Sequence, residues 1–304
     1  PKVIVICGPT ASGKTALSIE LAKKIDGEII SCDSMQIYKD MNIGTAKVTE
    51  SEMQGIKHYL VDFVSPDTRY SVADYKIDAE KAIENIISKG KIPIIVGGTG
   101  LYVDSLIYGI EYPEIKFDEE YRKKLEKEAD EEGLENLYNK AKEIDEQAMQ
   151  KISINDRKRI IRVLEIYHAT GKNKTEQEIE SRKKEVKYDY KIFAINMDRE
   201  KLYERINIRV DKMIENGLIE EVENLRKKYN HFPTAMQGLG YKEVVQYLQK
   251  ELTKEEMIEK IKQESRRYAK RQLTWFRKNK QTIWIDGLAN LEDNINIIEK
   301  ELNK

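Results

Sequence analysis

The feature that most constrains the fold is a glycine-rich loop that joins an apolar segment to an amphipathic one. Residues 3–7 are apolar and mostly β-branched, which predicts a buried strand. Gly8-x-x-x-x-Gly13-Lys14-Thr15 follows, and helical periodicity continues to Lys24. A strand, this spacing and a helix together predict a P-loop, in which backbone N–H groups surround phosphate oxygens at a helix N-terminus.

The residues of this loop have separate predicted roles. The glycines let the amides turn inward, Lys14 supplies a positive charge, and the Thr15 hydroxyl is placed to bind Mg²⁺. The motif does not identify the phosphate compound. The residues expected to hold the phosphates are Gly8, Pro9, Thr10, Ala11, Ser12, Gly13, Lys14 and Thr15.

Strand-like and helix-like segments alternate along the chain. Further strands are predicted at 28–32, 58–63, 92–96, 190–195 and 282–286. This alternation predicts an α/β fold with a mostly parallel sheet and helices on both faces. The charged segment 113–187 has only helical character, so we expect it to be an inserted helical domain. The core then comprises 1–112 and 188–304.

Composition excludes several classes of protein. The 304 residues have a net charge of −1, which excludes a uniformly basic sleeve for nucleic acid but leaves local basic patches open. Two cysteines, Cys7 and Cys32, cannot form a zinc finger or a disulfide framework. No run of eighteen apolar residues occurs. We therefore expect a cytoplasmic, monomeric enzyme with no membrane partner.

Four further segments narrow the choice of ligand. They are Asp33-Ser34-Met35-Gln36-Ile37-Tyr38, Met41-Asn42-Ile43-Gly44-Thr45-Ala46-Lys47, Gly97-Gly98-Thr99-Gly100-Leu101-Tyr102 and Lys270-Arg271-Gln272-Leu273-Thr274-Trp275-Phe276-Arg277. Together with the phosphate loop, and in this order, they closely resemble the tRNA dimethylallyltransferase (tRNA isopentenyltransferase) family. The chain lacks the cysteines of the C-terminal zinc finger that eukaryotic members often have, so it resembles the bacterial form.

The resemblance implies a reaction and a fold. The family transfers the prenyl group of dimethylallyl diphosphate to N6 of adenosine 37 in tRNA. Its P-loop holds the donor diphosphate rather than ATP, with Mg²⁺ as cofactor. Its fold is a P-loop kinase-like core with a helical insertion that grips the anticodon stem-loop, which corresponds here to 113–187.

The resemblance also implies catalytic roles for four residues. Asp33 matches the proposed general base for the adenine amine, although a strand-end aspartate can simply cap a turn. Lys14 serves the charge that develops on the leaving diphosphate. Thr10 matches a threonine that contacts the donor. Arg209 and Arg205 share a helix face, and Arg209 fits the arginine that reaches the diphosphate.

Further positions match tRNA contacts of the family. Lys158 stands where the family commonly has Gln, so a base-specific contact there is in doubt, and Tyr241 either stacks on a base or packs in the core. Between residues 260 and 280, nine basic residues and one acidic residue indicate an RNA-facing surface, with Trp275 in the core. The predicted tRNA-binding residues are Asp33, Ser34, Met35, Gln36, Thr99, Arg122, Lys158, Arg159, Ile160, Ile161, Arg162, Gly238, Leu239, Gly240, Tyr241, Lys242 and Glu243.

Three other functions are compatible with a P-loop. A small-molecule nucleotide kinase would transfer the γ-phosphate of ATP. An adenylate dimethylallyltransferase would use the same donor with a free nucleotide, for which a large insertion is superfluous. A non-enzymatic RNA-binding protein would not need Asp33 beside an intact Lys14 and Thr15.

Overall fold

The computed structural model describes residues 1–112, 118–181 and 185–303. The chain divides into two compact units, one formed by Pro1–Leu106 with Tyr188–Lys304 and the other by Ile107–Lys187. The sequence places the insertion at 113–187, and residues 113–117 and 182–184 of that insertion lie outside the described residues.

A parallel sheet forms the centre of the first unit. Its strands within the described residues are β1 (Lys2–Cys7), β2 (Gly27–Cys32), β3 (His58–Tyr59), β4 (Ile92–Gly97), β5 (Asp189–Asn196) and β6 (Ile283–Asp286). Their order is β3-β2-β4-β1-β5-β6, and every pairing is parallel. This arrangement confirms the predicted α/β fold, and it brings the carboxyl ends of all the strands to one edge.

The third strand is shorter than predicted. It ends at Tyr59 rather than Phe63 because Leu60 and Asp62 have positive φ angles of 60° and 56°. The extended backbone cannot continue through two left-handed residues. Asp62 instead forms an ion pair with Lys47 and does not project from a strand end.

Helices cover both faces of the sheet, because successive strand residues point in opposite directions. Side chains of α1 (Lys14–Ile25) and α14 (Leu291–Leu302) pack on the face that bears Ile29 and Ile94. On the opposite face, α3 (Val72–Ser88) contributes the buried Tyr75, whose ring stacks on that of Tyr102 with the centroids 4.0 Å apart. No helix in the described residues is both long and apolar enough to cross a membrane. The helices of this unit are α1 (Lys14–Ile25), α2 (Glu50–Met53), α3 (Val72–Ser88), α4 (Gly100–Ile107), α10 (Arg199–Glu215), α11 (Leu218–Lys228), α12 (Tyr241–Leu248), α13 (Lys254–Phe276) and α14 (Leu291–Leu302).

The second unit has its own apolar core. Buried side chains from four of its helices meet there, including Leu125, Leu137, Met149 and Ile160. Polar side chains cap several of the helices, as where Asp156 accepts the N–H of Arg159. Its described helices are α5 (Glu119–Glu132), α6 (Leu134–Ile144), α7 (Glu146–Met149), α8 (Arg157–Thr170) and α9 (Lys174–Ser181).

At the carboxyl ends of β2 and β4, the two backbones approach more closely than side chains allow. A Cβ atom on Gly97 would lie 2.1 Å from the carbonyl oxygen of Cys32. Thr99, two residues later, donates its backbone N–H to that same oxygen. Glycine at 97 therefore lets the loop after β4 lie directly against the loop that begins with Asp33.

Replacing Gly97 with alanine should destabilise the fold by about 3 kcal/mol, because the new methyl group meets backbone that cannot rotate away. Gly90→Ala is the matched control, since φ there is +74° and nothing lies near its Cβ position. Left-handed strain alone should cost that variant about 1 kcal/mol. Urea unfolding followed by circular dichroism gives both values, and equal stability of the two variants would contradict this packing argument.

Candidate functional site

The loop between β1 and α1 presents its amides to a cavity. Ala11 and Gly13 have positive φ angles of 62° and 94°, which turn successive N–H groups toward the same side. No side chain caps the N-terminus of α1. The Ser12 hydroxyl is buried, and no hydrogen-bond partner for it exists among the described residues. The cavity has a volume of about 390 Å³ and is lined by residues from Thr10 to Thr15. This geometry suits an anion.

Lys14 is held inside this loop. Its Nζ donates hydrogen bonds to the carbonyl oxygens of Gly8, at 3.1 Å, and Pro9, at 2.7 Å. Burial, and then the positive charge of Arg209, lower the pKa of Lys14 to about 8. An anion in the cavity would stabilise the protonated amine, so the charged form of Lys14 favours anion binding.

Asp33 follows β2 and lies between two cavities. It lines the phosphate-loop cavity and a second cavity of about 280 Å³. Its Oδ1 accepts the backbone N–H groups of Met35, at 2.8 Å, and Gln36, at 3.1 Å. Oδ2 makes no hydrogen bond to any residue that the structure describes. One oxygen therefore caps the turn, as the alternative interpretation expects, while the other is available for a proton.

Arg209 and Thr10 also line both cavities. An Nη atom of Arg209 donates to Thr10 Oγ1 at 3.1 Å. Burial lowers the pKa of Arg209, and the Asp33 carboxylate opposes that shift. Arg205, one turn earlier on α10, is exposed and lines neither cavity. The structure thus brings Arg209, Thr10, Lys14 and Asp33 together.

The residues after Asp33 are tied to neighbouring loops. Thr99 Oγ1 accepts the backbone N–H of Ser34 at 3.1 Å. The Gln36 side-chain amide donates to the carbonyl oxygens of Thr45 and Ala46. Met35 lines the second cavity, whereas Ile37 is fully buried in a core cluster and packs away from it. Ser34, Met35 and Gln36 thus lie at the site, and Thr99 fixes their backbone.

Segment 238–243 contributes to the second cavity in a different way from the prediction. Leu239, Gly240, Tyr241 and Lys242 line it, and Gly238 packs against Met35. Tyr241 and Glu243 are both fully buried. Glu243 caps α12 by accepting the Gly240 N–H, and the Tyr241 ring packs on Gly44. Of the two roles open to Tyr241, its burial favours packing in the core, whereas direct RNA contact by the buried Glu243 is a wrong expectation.

Sequence reasoning missed Glu221, which organises the loop at 42–46. Its carboxylate accepts backbone N–H groups from Asn42, Ile43 and Gly44, at 2.8 to 3.3 Å. It also accepts a hydrogen bond from the Tyr241 hydroxyl. Burial, and then this carboxylate, raise the pKa of Tyr241. Its loop partners lie far from it in the chain, so no local motif marks this glutamate.

Segment 157–162 begins α8 in the second unit. Lys158, Arg159 and Arg162 are exposed, which leaves them available to phosphate. Ile160 and Ile161 are 0% and 1% exposed in the core of this unit, so their prediction as tRNA contacts is wrong. The helical period places them on the inner face while their neighbours face solvent.

Arg122, the other predicted tRNA contact of this unit, is already engaged. It forms ion pairs with Glu126 on its own helix and with the buried Glu165 of α8. Arg162 also contacts Glu165, at 3.5 Å. The buried Glu165 carboxylate therefore holds Arg122, whereas Arg162 remains exposed.

The C-terminal basic stretch lies mainly on α13. Lys270, Arg271 and Arg277 are exposed, as an RNA-facing surface requires. Trp275 is half-buried, with its ring against Gly100 and its indole N–H donating to Asp104 at 3.0 Å. This agrees with the expectation that its role is packing.

Replacing Glu221 with alanine should destabilise the protein by about 3 kcal/mol, because three backbone N–H groups and a buried phenol lose their acceptor. Glu223 lies exposed on the same helix and provides the control. Glu223→Ala should change stability by less than about 0.5 kcal/mol. Urea unfolding of both variants checks this, and equal effects would show that the carboxylate does not organise the loop.

Comparisons with known proteins agree on one family. A family model described as IPP transferase matches residues 36–279. The chain is 55% identical over 285 residues to the tRNA dimethylallyltransferase of Acetivibrio thermocellus, and the match covers 93% of this chain and 91% of that protein.

Two solved structures extend this agreement to the fold. A tRNA isopentenylpyrophosphate transferase from Bacillus halodurans superposes with a TM-score of 0.74 and 41% identity, covering 99% of this chain and 95% of that one. A eukaryotic dimethylallyltransferase, described as acting on tRNA, superposes with a TM-score of 0.79 and 34% identity, covering 94% and 74%. The chain therefore belongs to the IPP transferase family, together with these tRNA dimethylallyltransferases.

Proposed function

We propose that this chain transfers the dimethylallyl group of dimethylallyl diphosphate to N6 of adenosine 37 in tRNA. One observation carries the proposal: the Asp33 carboxylate lines both the phosphate-loop cavity and the second cavity. A donor in the first cavity and an adenine in the second would meet beside this carboxylate. Family membership supports the choice of prenyl donor and tRNA acceptor.

The chemistry assigns a separate task to each charged group. The bond from N6 to the allylic carbon forms as the carbon–oxygen bond to diphosphate breaks. Asp33 Oδ2 takes the N6 proton, which makes the poorly nucleophilic amine competent. Lys14, the loop amides and Arg209 stabilise the charge that develops on the diphosphate.

The loop residues fit a bound Mg²⁺. Thr15 is exposed and lines the phosphate-loop cavity with Lys14 and Asp33. Within the described residues no group of three or more His, Cys, Asp or Glu side chains could hold a metal. Magnesium takes few protein ligands and completes its shell with phosphate oxygens and water, so one hydroxyl beside a diphosphate suffices. Thr15 would hold the ion, which adds positive charge at the leaving diphosphate.

The acceptor must reach a recessed cavity, so adenosine 37 has to leave its stack. The insertion is the proposed grip on the anticodon stem-loop, through the exposed cations Lys158, Arg159 and Arg162 on α8. Phosphate contacts of this kind position an RNA without reading its sequence.

The function is tested by incubating the protein with Mg²⁺, labelled dimethylallyl diphosphate and unmodified tRNA that contains A37. Parallel reactions replace tRNA with free AMP, or the donor with γ-labelled ATP. Prenyl label in tRNA and not in AMP is the expected result. Label in AMP would indicate an adenylate dimethylallyltransferase, and phosphoryl transfer without prenyl transfer would indicate a kinase.

Asp33→Asn should lower kcat by about 10² to 10⁴ while the fold persists, because asparagine still accepts the turn N–H groups but cannot take a proton. Asp286→Asn is the control, since Asp286 also ends a strand and accepts the N–H two residues later. That variant should keep wild-type kcat. Steady-state transfer rates decide, and an Asp33→Asn rate within about tenfold of wild type would refute the base assignment.

Lys158→Ala and Arg162→Ala should each raise the KM for tRNA about three- to tenfold and reduce its salt dependence, because each removes one phosphate contact. The KM for the donor should stay constant. Lys127→Ala is the control, since Lys127 is exposed within segment 118–146, whose twelve acidic and six basic residues we expect to face away from RNA. Unchanged tRNA KM values in both α8 variants would show that this helix surface does not bind tRNA.

A further inference from the structure

Gln272 is a polar side chain buried beside the phosphate loop. It lies on α13 and is 6% exposed. Its Oε1 accepts the backbone N–H of Thr10 at 2.9 Å, and its Nε2 donates to the Gly98 carbonyl oxygen at 3.0 Å. Thr10 requires an acceptor and Gly98 requires a donor, so the two bonds fix the orientation of the amide.

These two hydrogen bonds join three parts of the site. They connect α13 to the loop after β1 and to the loop after β4. Space for the amide depends on the absence of a side chain at Gly98, where a Cβ would lie 2.1 Å from Gln272 Nε2. That same Cβ would lie 3.2 Å from the Gly8 carbonyl oxygen, so the loops are packed against each other here.

The bond to Thr10 has consequences for the amides that face an anion. The Thr10 N–H is engaged by Gln272, so the inward-facing set begins at Ala11. Ala11 adopts a left-handed φ of 62°, a conformation that non-glycine residues disfavour. Holding the preceding residue limits the relaxation of this turn. Thr10 Oγ1, positioned by the same bond, accepts the hydrogen bond from Arg209.

We propose that Gln272 is a positioning residue for the donor diphosphate: it fixes the phosphate loop and the Thr10–Arg209 pair before the ligand binds. The inference rests on the proposed function, in that it takes the ligand of this loop to be a prenyl diphosphate. Gln272 also lines the phosphate-loop cavity, but both polar atoms of its amide are engaged by Thr10 and Gly98, so it acts through the loop. Preorganised donors need no rearrangement on binding, so losing them weakens affinity for the anion first.

Three variants of the full-length protein test this proposal. Gln272→Met keeps the size of the side chain and removes both hydrogen bonds. Gln272→Glu still accepts the Thr10 N–H, but it faces the Gly98 carbonyl with a carboxylate and adds a negative charge near the anion. Gln263→Met is the control, because Gln263 is exposed on the same helix.

Calorimetry with inorganic diphosphate and Mg²⁺ measures the affinity, and steady-state assays separate the donor KM from the tRNA KM. Gln272→Met should weaken diphosphate binding and raise the donor KM about tenfold. Gln272→Glu should bind diphosphate more weakly still. The tRNA KM should stay within about twofold, and Gln263→Met should match wild type. A merely structural role predicts something different, namely that both KM values change together with the melting temperature.

Diphosphate affinity within about twofold of wild type in Gln272→Met would overturn the proposal, as would equal changes in the donor and tRNA KM values. The calorimetric measurement does not depend on catalysis. If wild-type protein binds diphosphate but transfers no prenyl group to tRNA, the proposed function fails while the role of Gln272 is still decided by its binding data.

Discussion

The close approach of β2 and β4 at Gly97 determines where the groups of the site lie. Because no side chain separates Gly97 from the Cys32 carbonyl, the loop after β4 lies directly against the turn that begins at Asp33. The phosphate loop follows β1, which neighbours β4 on the side opposite to β2. The loops after three parallel strands therefore place Lys14, Asp33 and Thr99 at one edge of the sheet. Gln272 of α13 hydrogen-bonds to two of these loops.

The electrostatics of this edge explain why it suits a diphosphate. Two half-buried cations, Lys14 and Arg209, both have pKa values lowered by desolvation, and Asp33 only partly offsets the effect. A buried positive charge without a full partner is unfavourable, so an anion in the cavity relieves it. The same anion is the leaving group in prenyl transfer, so binding and chemistry use the same groups.

The sequence predicts the strongly periodic parts of this protein and the contiguous motifs. The phosphate loop, the parallel sheet and the grouping of Asp33 with Lys14 follow from residues adjacent in the chain or at strand ends. The predicted length of the third strand is wrong because Leu60 and Asp62 adopt left-handed backbone conformations within a segment whose composition favours a strand. The sequence assigns Ile160, Ile161 and Glu243 to RNA although all three are buried, because a contiguous motif does not reveal which side of a helix faces inward. Glu221 and Gln272 act across long sequence separations, so only the fold brings them to their partners.

Whether the Asp33 carboxylate serves both substrates is decided by a crystal structure of the Asp33→Asn variant with dimethylallyl diphosphate, Mg²⁺ and an A37 anticodon stem-loop. We expect the diphosphate to bind the loop amides and Lys14. We also expect the allylic carbon about 3.5 Å from N6 of the flipped adenine, and N6 within about 3.2 Å of the residue 33 side chain. A prenyl chain directed away from residue 33, or N6 bonded to a different side chain, would contradict this role of Asp33.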